Sequence, residues 1–128
     1  STDDLGDATV GVQIGTTGAA EAQKLKDEGK VATVRTYNVV TDAFNALENG
    51  QVDAVINDFP VSADRASQSE GALEIVQNIP TGEQYGIAFP TDSDLRPRVN
   101  KALQEIKEDG TYEEMYQKWF KEKPEEIP

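Results

Sequence analysis

The sequence predicts an α/β fold, a three-layer sandwich whose central sheet is mainly parallel. Three short apolar runs, at residues 9–14, 32–37 and 52–57, alternate with helix-forming segments. A strand–helix–strand connection is right-handed and places its two strands in parallel. The pattern therefore predicts a β-α-β-α-β sheet whose first strand lies between the other two, in the order two, one, three.

A tight turn and a helix follow the first strand. The turn is the Gly-Thr-Thr-Gly sequence at residues 15–18, and residues 19–28 form the predicted helix. Gly29 then ends the helix, because glycine readily adopts the left-handed conformation found after many helices.

The second strand leads into another helix, which we expect to be capped near Thr41. Its apolar residues Ala43, Phe44 and Leu47 recur on one face, and Gly50 ends it. The third strand follows directly.

The chain after the third strand is predicted to be helical and then extended. Pro60 favours a helix start, and the helix fades around residues 67–71. Residues 73–79 and 84–89 read as two extended runs. We expect one of them to run antiparallel at the edge of the sheet.

Two helices are predicted after Ser93. Apolar residues at helical spacing define the first of them: Leu95, Val99, Leu103 and Ile106. Gly110 ends this helix, and residues 111–114, Thr-Tyr-Glu-Glu, form a capping box for the next. The chain is thus expected to divide into an α/β lobe, residues 1–89, and a C-terminal helical segment, residues 90–128.

The last predicted helix is rich in large apolar side chains. They are Tyr112, Met115, Tyr116, Trp119 and Phe120. These side chains either pack on the chain's own core or lie against a surface outside this chain. Helical periodicity leaves both interpretations open.

Composition excludes several classes of function. The 24 acidic and 12 basic residues give a net charge of −12, which repels nucleic acid and anionic membrane surfaces. The sequence contains neither cysteine nor histidine, so disulfides, a catalytic triad and a zinc site are not expected. We expect no cofactor, no metal and no enzymatic activity.

Membrane insertion is also not expected. No run approaches the roughly 18 apolar residues that a spanning helix needs. Residues 1–9 do not read as a signal peptide. If the protein is exported, we expect its signal to lie outside this chain.

A candidate ligand site lies where the strand order reverses. In an open parallel sheet, ligands bind beyond the carboxyl ends of the strands at that point, here between strands one and three. The turn with Thr16 and Thr17 opens a helix, whose N–H groups and dipole suit a carboxylate. Asp58, after the third strand, suits an ammonium group. Together they predict a site for an α-amino acid.

Each half of this site also has a simpler interpretation. The Gly-Thr-Thr-Gly sequence can be a turn with a threonine N-cap, and Asp58 can be a solvated residue before a helix that Pro60 starts. A phosphate-binding loop is not predicted, because the turn lacks the glycine spacing and lysine of such loops.

These residues resemble a known family, the family 3 extracellular solute-binding proteins. The matching segments, in order, are residues 4–6 (Asp-Leu-Gly), 10–17 (Val-Gly-Val-Gln-Ile-Gly-Thr-Thr), 46–55 (Ala-Leu-Glu-Asn-Gly-Gln-Val-Asp-Ala-Val) with Asp58, 85–88 (Tyr-Gly-Ile-Ala), 99–103 (Val-Asn-Lys-Ala-Leu), 109–112 (Asp-Gly-Thr-Tyr) and 118–120 (Lys-Trp-Phe). The resemblance covers nearly the whole chain.

The resemblance implies a two-lobed fold of the periplasmic-binding-protein type II. The chain is similar to the second lobe followed by the segment that returns to the first lobe, and the first lobe is a further expected partner. By the same resemblance, Thr16 and Thr17 match carboxylate-binding positions and Asp58 matches the acid that binds the α-ammonium. Gly15 belongs to the same motif, and Gln13 and Asn57 match positions that discriminate the ligand side chain.

The implied function is binding of a polar amino acid, such as glutamine or a basic amino acid, as the receptor of an ABC importer. The permease is then a partner, and the location is extracellular or periplasmic, with lipid anchoring of the intact protein left open. Two alternatives remain: the sensor domain of a membrane receptor, and a dehydratase-like enzyme that uses Asp58 for proton transfer.

Overall fold

The computed structural model describes residues 1–121 and 123–124. The chain divides into two compact units, Ser1–Ile79 and Pro80–Pro128. The predicted division into an α/β lobe of residues 1–89 and a C-terminal helical segment of residues 90–128 stays a prediction.

The first unit is built on a parallel sheet of three strands. These are β1 (Thr9–Gln13), β2 (Thr33–Tyr37) and β3 (Ala54–Val55), and β1 lies in the centre. Thr9 lies opposite Thr33 and Gln13 opposite Tyr37, so β1 and β2 end level with each other. The predicted order, two, one, three, is confirmed.

Strand β3 is shorter than the predicted residues 52–57. Hydrogen bonds nevertheless continue on both sides of it: the Asp53 N–H donates to the Thr9 carbonyl at 2.8 Å, and the Ile56 N–H donates to the Gly11 carbonyl at 3.2 Å. The chain therefore follows β1 until it reaches the candidate site.

Three helices connect and follow the strands: α1 (Thr17–Asp27), α2 (Val40–Glu48) and α3 (Phe59–Gln68). Helix α1 begins before the predicted residue 19, because the Thr16 side chain caps it. The predicted cap near Thr41 is wrong: α2 begins at Val40, and its N-cap position is held by Val39 without a side-chain bond.

The core lies on both faces of the sheet. Val10 and Val12 are fully buried and pack with Ala22 and Leu25 of α1. Successive side chains of a strand point to opposite faces, so Gly11 lies on the other face. There the Tyr37 ring occupies the space beside it, 3.4 Å from where a Cβ of residue 11 would stand.

The expected antiparallel strand is not formed. Within the described part of the chain the sheet has three strands, and neither residues 73–79 nor residues 84–89 join it. The two-residue β3 offers few bonding groups to a further strand, and Tyr85 is 75% exposed. Alternating apolar residues predict an extended segment, but the segment joins a sheet only when an edge and a covered face are available.

The second unit contains helices α4 (Leu95–Glu108) and α5 (Thr111–Phe120). The predicted capping box at Thr111 is wrong, since Thr111 is already the first helical residue. The N-cap residue is Gly110, with a φ of 86°, and the Asp109 carboxylate accepts a bond from the Thr111 N–H at 2.9 Å.

The apolar residues of α5 form two rows. Tyr112, Tyr116 and Phe120 are half-buried, and the rings of Tyr116 and Phe120 meet edge to face with centroids 4.6 Å apart. Met115 and Trp119 are exposed, Trp119 by 66%. Among the described residues, none of the helices has the length and apolar character that crossing a bilayer requires.

Candidate functional site

The turn between β1 and α1 forms one side of the candidate site. Gln13 ends the strand, and the Ile14 N–H donates to the carbonyl of Tyr37 at 2.9 Å, which extends the pairing by one residue. Gly15 follows with a φ of 77°, a conformation that a side chain rarely tolerates. The glycine lets the chain leave the sheet and enter α1 within two residues.

The hydroxyl of Thr16 holds this turn closed. It donates its proton to the Gln13 carbonyl at 2.8 Å and accepts the N–H of Ala19 at 3.1 Å. A hydroxyl has one proton, so this bond leaves Thr16 with no proton for a ligand while the turn is intact. The sequence predicted both a cap and a ligand contact for Thr16, and the geometry shows the cap.

The first helical residues leave donors available. Helix geometry gives the N–H groups of Thr17 and Gly18 no intrahelical acceptor. The Thr17 side chain is exposed beside them. With the positive end of the helix dipole, this arrangement favours a small anion such as a carboxylate.

Gly18 brings the turn against the end of β3. A Cβ at position 18 would stand 3.1 Å from the carbonyl oxygen of Ile56 and 3.7 Å from the Cα of Asn57. The start of α1 and the residues after β3 are therefore in direct backbone contact. The two halves of the predicted site are brought together by this approach.

Asp58 occupies the N-cap position of α3. Its carbonyl accepts the Ser62 N–H at 3.0 Å, and Pro60 lies in the first turn. The carboxylate does not cap the helix, and the residue is exposed. Asp58 thus presents a carboxylate at the same edge of the sheet as the α1 N-terminus.

Two amide side chains lie at this edge. The Gln13 Nε2 donates to the Asn38 carbonyl at 3.3 Å, and the Asn57 Nδ2 donates to the Asp58 carbonyl at 3.4 Å. Both amides are thus oriented by the backbone. All six predicted site residues, Gln13, Gly15, Thr16, Thr17, Asn57 and Asp58, lie at the carboxyl edge of β1 or beyond β3.

Two polar contacts that the sequence did not predict support this framework. The Asp53 carboxylate accepts the Thr9 N–H at 2.8 Å and ties β3 to β1. The Arg65 Nη2 lies 2.7 Å from the Glu48 carboxylate and 3.3 Å from Asn45, which joins α3 to α2. The acidic residue just before β3 was a sequence signal for the bond between Asp53 and Thr9. No sequence signal indicated the pairing of Arg65 with Glu48.

The parallel sheet and the polar turns at its carboxyl edge place the protein in the periplasmic-binding-protein class of α/β folds. The chain belongs to the bacterial extracellular solute-binding proteins, family 3, whose model matches residues 9–122. Within the described residues no group of acidic side chains is arranged to hold a metal ion.

Known proteins of the family are similar over most of this chain. The ABC transporter glutamine-binding protein GlnH of Bacillus subtilis is 33% identical over 85% of the chain and 40% of the relative. The arginine-binding protein ArgT of Corynebacterium glutamicum is 38% identical over 72% of the chain and 31% of the relative.

A solved structure shows the same fold. An ancestral arginine-binding protein bound to arginine is 39% identical, with a TM-score of 0.72 over 94% of this chain and 54% of that structure. The chain therefore spans between about a third and a half of the length of the proteins it matches.

Proposed function

We propose that this chain supplies one side of the amino-acid site of an extracellular receptor for an ABC importer. The observation that supports the proposal is the contact of Gly18 with Ile56 and Asn57, the residues that directly precede Asp58. Family membership and relatives named for binding glutamine or arginine support it.

The carboxylate end of the ligand belongs at the start of α1. The N–H groups of Thr17 and Gly18 and the hydroxyl of Thr17 are donors, and Gly15, with its positive φ, allows the turn that leads into them. Thr16 contributes by holding these donors in place through its bonds to Gln13 and Ala19.

The ammonium end belongs at Asp58. A carboxylate–ammonium bond is charge-assisted and stronger than a neutral hydrogen bond. Gln13 and Asn57, with their oriented amides, are proposed to meet the ligand's side chain. A polar amino acid fits these groups better than an apolar one, which would leave them unpaired.

The rest of the receptor is proposed from the length of the relatives. The first lobe would come from the part of those proteins that this chain does not span, and closure over the ligand would exclude water. The permease of the importer would be the other partner. We propose that the intact protein works in the periplasm or, when lipid-anchored, at the outer cell surface.

A nuclear magnetic resonance titration of the full chain tests the proposal. L-arginine and L-glutamine should shift the amide signals of Thr17, Gly18 and Asp58. The dissociation constant should be no tighter than about 1 mM, because a one-sided pocket leaves the ligand wet. Shifts confined to other residues, or no shifts at all, would refute the proposed site.

A catalytic role receives less support. The relatives described above are named as binding proteins, and the chain has neither histidine nor cysteine to act with Asp58. Turnover of a candidate substrate by the full chain would establish the alternative.

A further inference from the structure

The end of helix α2 contains a dipeptide, Asn49-Gly50, that the proposed amino-acid site does not use. Gly50 has no side chain to hinder its backbone nitrogen, and its φ of 68° lies in the left-handed region. Both residues are exposed. Every other asparagine of the sequence precedes a residue that carries a side chain. The dipeptide therefore joins a primary amide to an unhindered backbone nitrogen at the protein surface.

Asparagine is among the thermolabile residues, and before glycine it reacts without an enzyme. The backbone nitrogen of Gly50 attacks Cγ of Asn49, and the new C–N bond closes a succinimide ring. The Cγ–Nδ2 bond breaks, and the NH₂ group leaves as ammonia with the proton that the Gly50 nitrogen has lost. Solvent water then adds to either ring carbonyl and opens the ring to aspartate or isoaspartate. The reaction needs no oxidant and no co-reactant other than water.

The structure holds both reacting groups in hydrogen bonds. The Gly50 N–H donates to the Leu47 carbonyl at 3.0 Å. The Asn49 Nδ2 donates to the Asn45 carbonyl at 2.8 Å, which turns this side chain back along the helix. The Gly50 nitrogen must lose its proton before it attacks, and the Asn49 side chain must turn toward it. Each bond opposes one of these two changes.

Further contacts close the helix end around the dipeptide. The Gln51 N–H donates to the Ala46 carbonyl at 2.8 Å. Together with the bond from Gly50, it forms the Schellman arrangement in which many helices end at a glycine. The ion pair of Arg65 with Glu48, the last residue of α2, joins the same end to α3. The reaction therefore requires this end of the helix to open locally.

We propose that Asn49 is a site of spontaneous deamidation and that the closed end of α2 suppresses the reaction in the folded chain. An aspartate product places a negative charge at the negative end of the helix dipole, beside Glu48, and lacks the donor that binds the Asn45 carbonyl. An isoaspartate product also adds a backbone atom between α2 and β3. Deamidation should therefore lower the guanidinium concentration at which the chain unfolds. Asn49→Asp should show the same fall, and an unchanged midpoint would overturn this effect of the product.

Incubation of the full chain at mildly alkaline pH, followed by peptide mapping with fragment-ion mass spectrometry, tests the proposal. In guanidinium chloride, where the chain is unfolded, Asn49 should deamidate faster than every other asparagine. In buffer, the rate at Asn49 should fall by about tenfold or more, because the reaction then waits for local opening. Equal rates at Asn49 in the two conditions, or a faster reaction at another asparagine in guanidinium chloride, would overturn the proposal.

Exchange of the Gly50 N–H with solvent measures the same opening. Arg65→Met removes the ion pair at this end of α2, so it should raise Gly50 exchange and Asn49 deamidation by the same factor, about two- to fivefold. Arg98→Met removes an equal charge from α4, in the second unit, and should change neither rate. If Gly50 exchange rises while deamidation stays constant, the helix end does not protect Asn49. An equal rise in deamidation with Arg98→Met would show a general charge effect and would also overturn the inference.

Discussion

The α-carbon of Gly18 and the carbonyl of Ile56 approach each other so closely that a Cβ at position 18 would lie 3.1 Å from the carbonyl oxygen. The contact joins the first turn of α1 to the end of β3. It is made by backbone on both sides, so flexible side chains cannot absorb a change there. The two halves of the proposed amino-acid site depend on this contact for their separation.

Gly18→Ala should therefore lose stability, although alanine is the better helix former. The preference of about 1 kcal/mol for alanine is opposed by displacement of the Ile56 carbonyl, and we expect a net loss of about 1 kcal/mol in the free energy of unfolding. Urea denaturation measures it. Gly6→Ala is the control, since nothing lies within 4 Å of its Cβ position. A stabilised Gly18→Ala protein would contradict the tight approach.

Thr16→Val should lower the free energy of unfolding by about 1 kcal/mol, because it removes the N-cap and the bond to the Gln13 carbonyl. Thr16→Ser keeps the hydroxyl and should restore most of the loss. Thr17→Val is the neighbouring control and should change stability by less than about 0.5 kcal/mol. Thermal melts of the three variants decide the matter; equal losses for Thr16→Val and Thr17→Val would rule out the cap.

Asp58→Asn should weaken amino-acid binding more than Thr17→Ala, because it removes the charge that meets the ligand's ammonium. On this exposed surface the loss should be about two- to fivefold. When closure of a two-lobed protein buries Asp58 and the ligand's ammonium together, the loss of affinity should grow to about thirtyfold or more. Titration calorimetry or resonance shifts can measure both. Unchanged binding in Asp58→Asn would reduce Asp58 to a residue that precedes a helix.

The ion pair of Arg65 with Glu48 should stabilise the contact between α2 and α3. A double-mutant cycle with Arg65→Met and Glu48→Gln should give a coupling free energy of about 0.5–1 kcal/mol, since both side chains are about one-third exposed. Chemical denaturation of the four proteins provides the cycle. If the effects of the two substitutions on the free energy of unfolding are additive, the ion pair contributes no measurable stability.

Asp109 should titrate below the usual aspartate value. Hydrogen bonding from the Thr111 side chain, and secondly from the Thr111 backbone N–H, lowers the pKa of the Asp109 carboxyl below its usual 3.8. Because the pKa is lowered in the folded chain, the stability that this hydrogen bonding contributes is fully present above pH 3.8. It is lost as the pH falls through the lower pKa of the folded state. Carboxyl chemical shifts of Asp109 and the amide shift of Thr111 should move together in that acidic window. Titration of Asp109 at or above 3.8 would exclude the bond.

Local pattern determined much of the fold. Strand–helix alternation predicted the parallel sheet, because a right-handed crossover joins parallel strands, and the order predicted with it, two, one, three, is the observed one. The glycine turn at residues 15–18 and Asp58 indicated the edge at which we propose that a ligand binds. These features depend on residues close together in sequence, so periodicity and turn chemistry reveal them.

Tertiary structure decided the rest. Whether residues 73–79 and 84–89 pair depends on a free sheet edge and a covered face, and neither is encoded in their own alternation. Each of several groups in this chain has more than one possible partner. Examples are the bonds of the Thr16 hydroxyl, the close approach of Gly18 to Ile56 and the pairing of Arg65 with Glu48. Such choices depend on which atoms packing brings within about 3 Å, and contacts between residues distant in sequence become definite only in the folded chain.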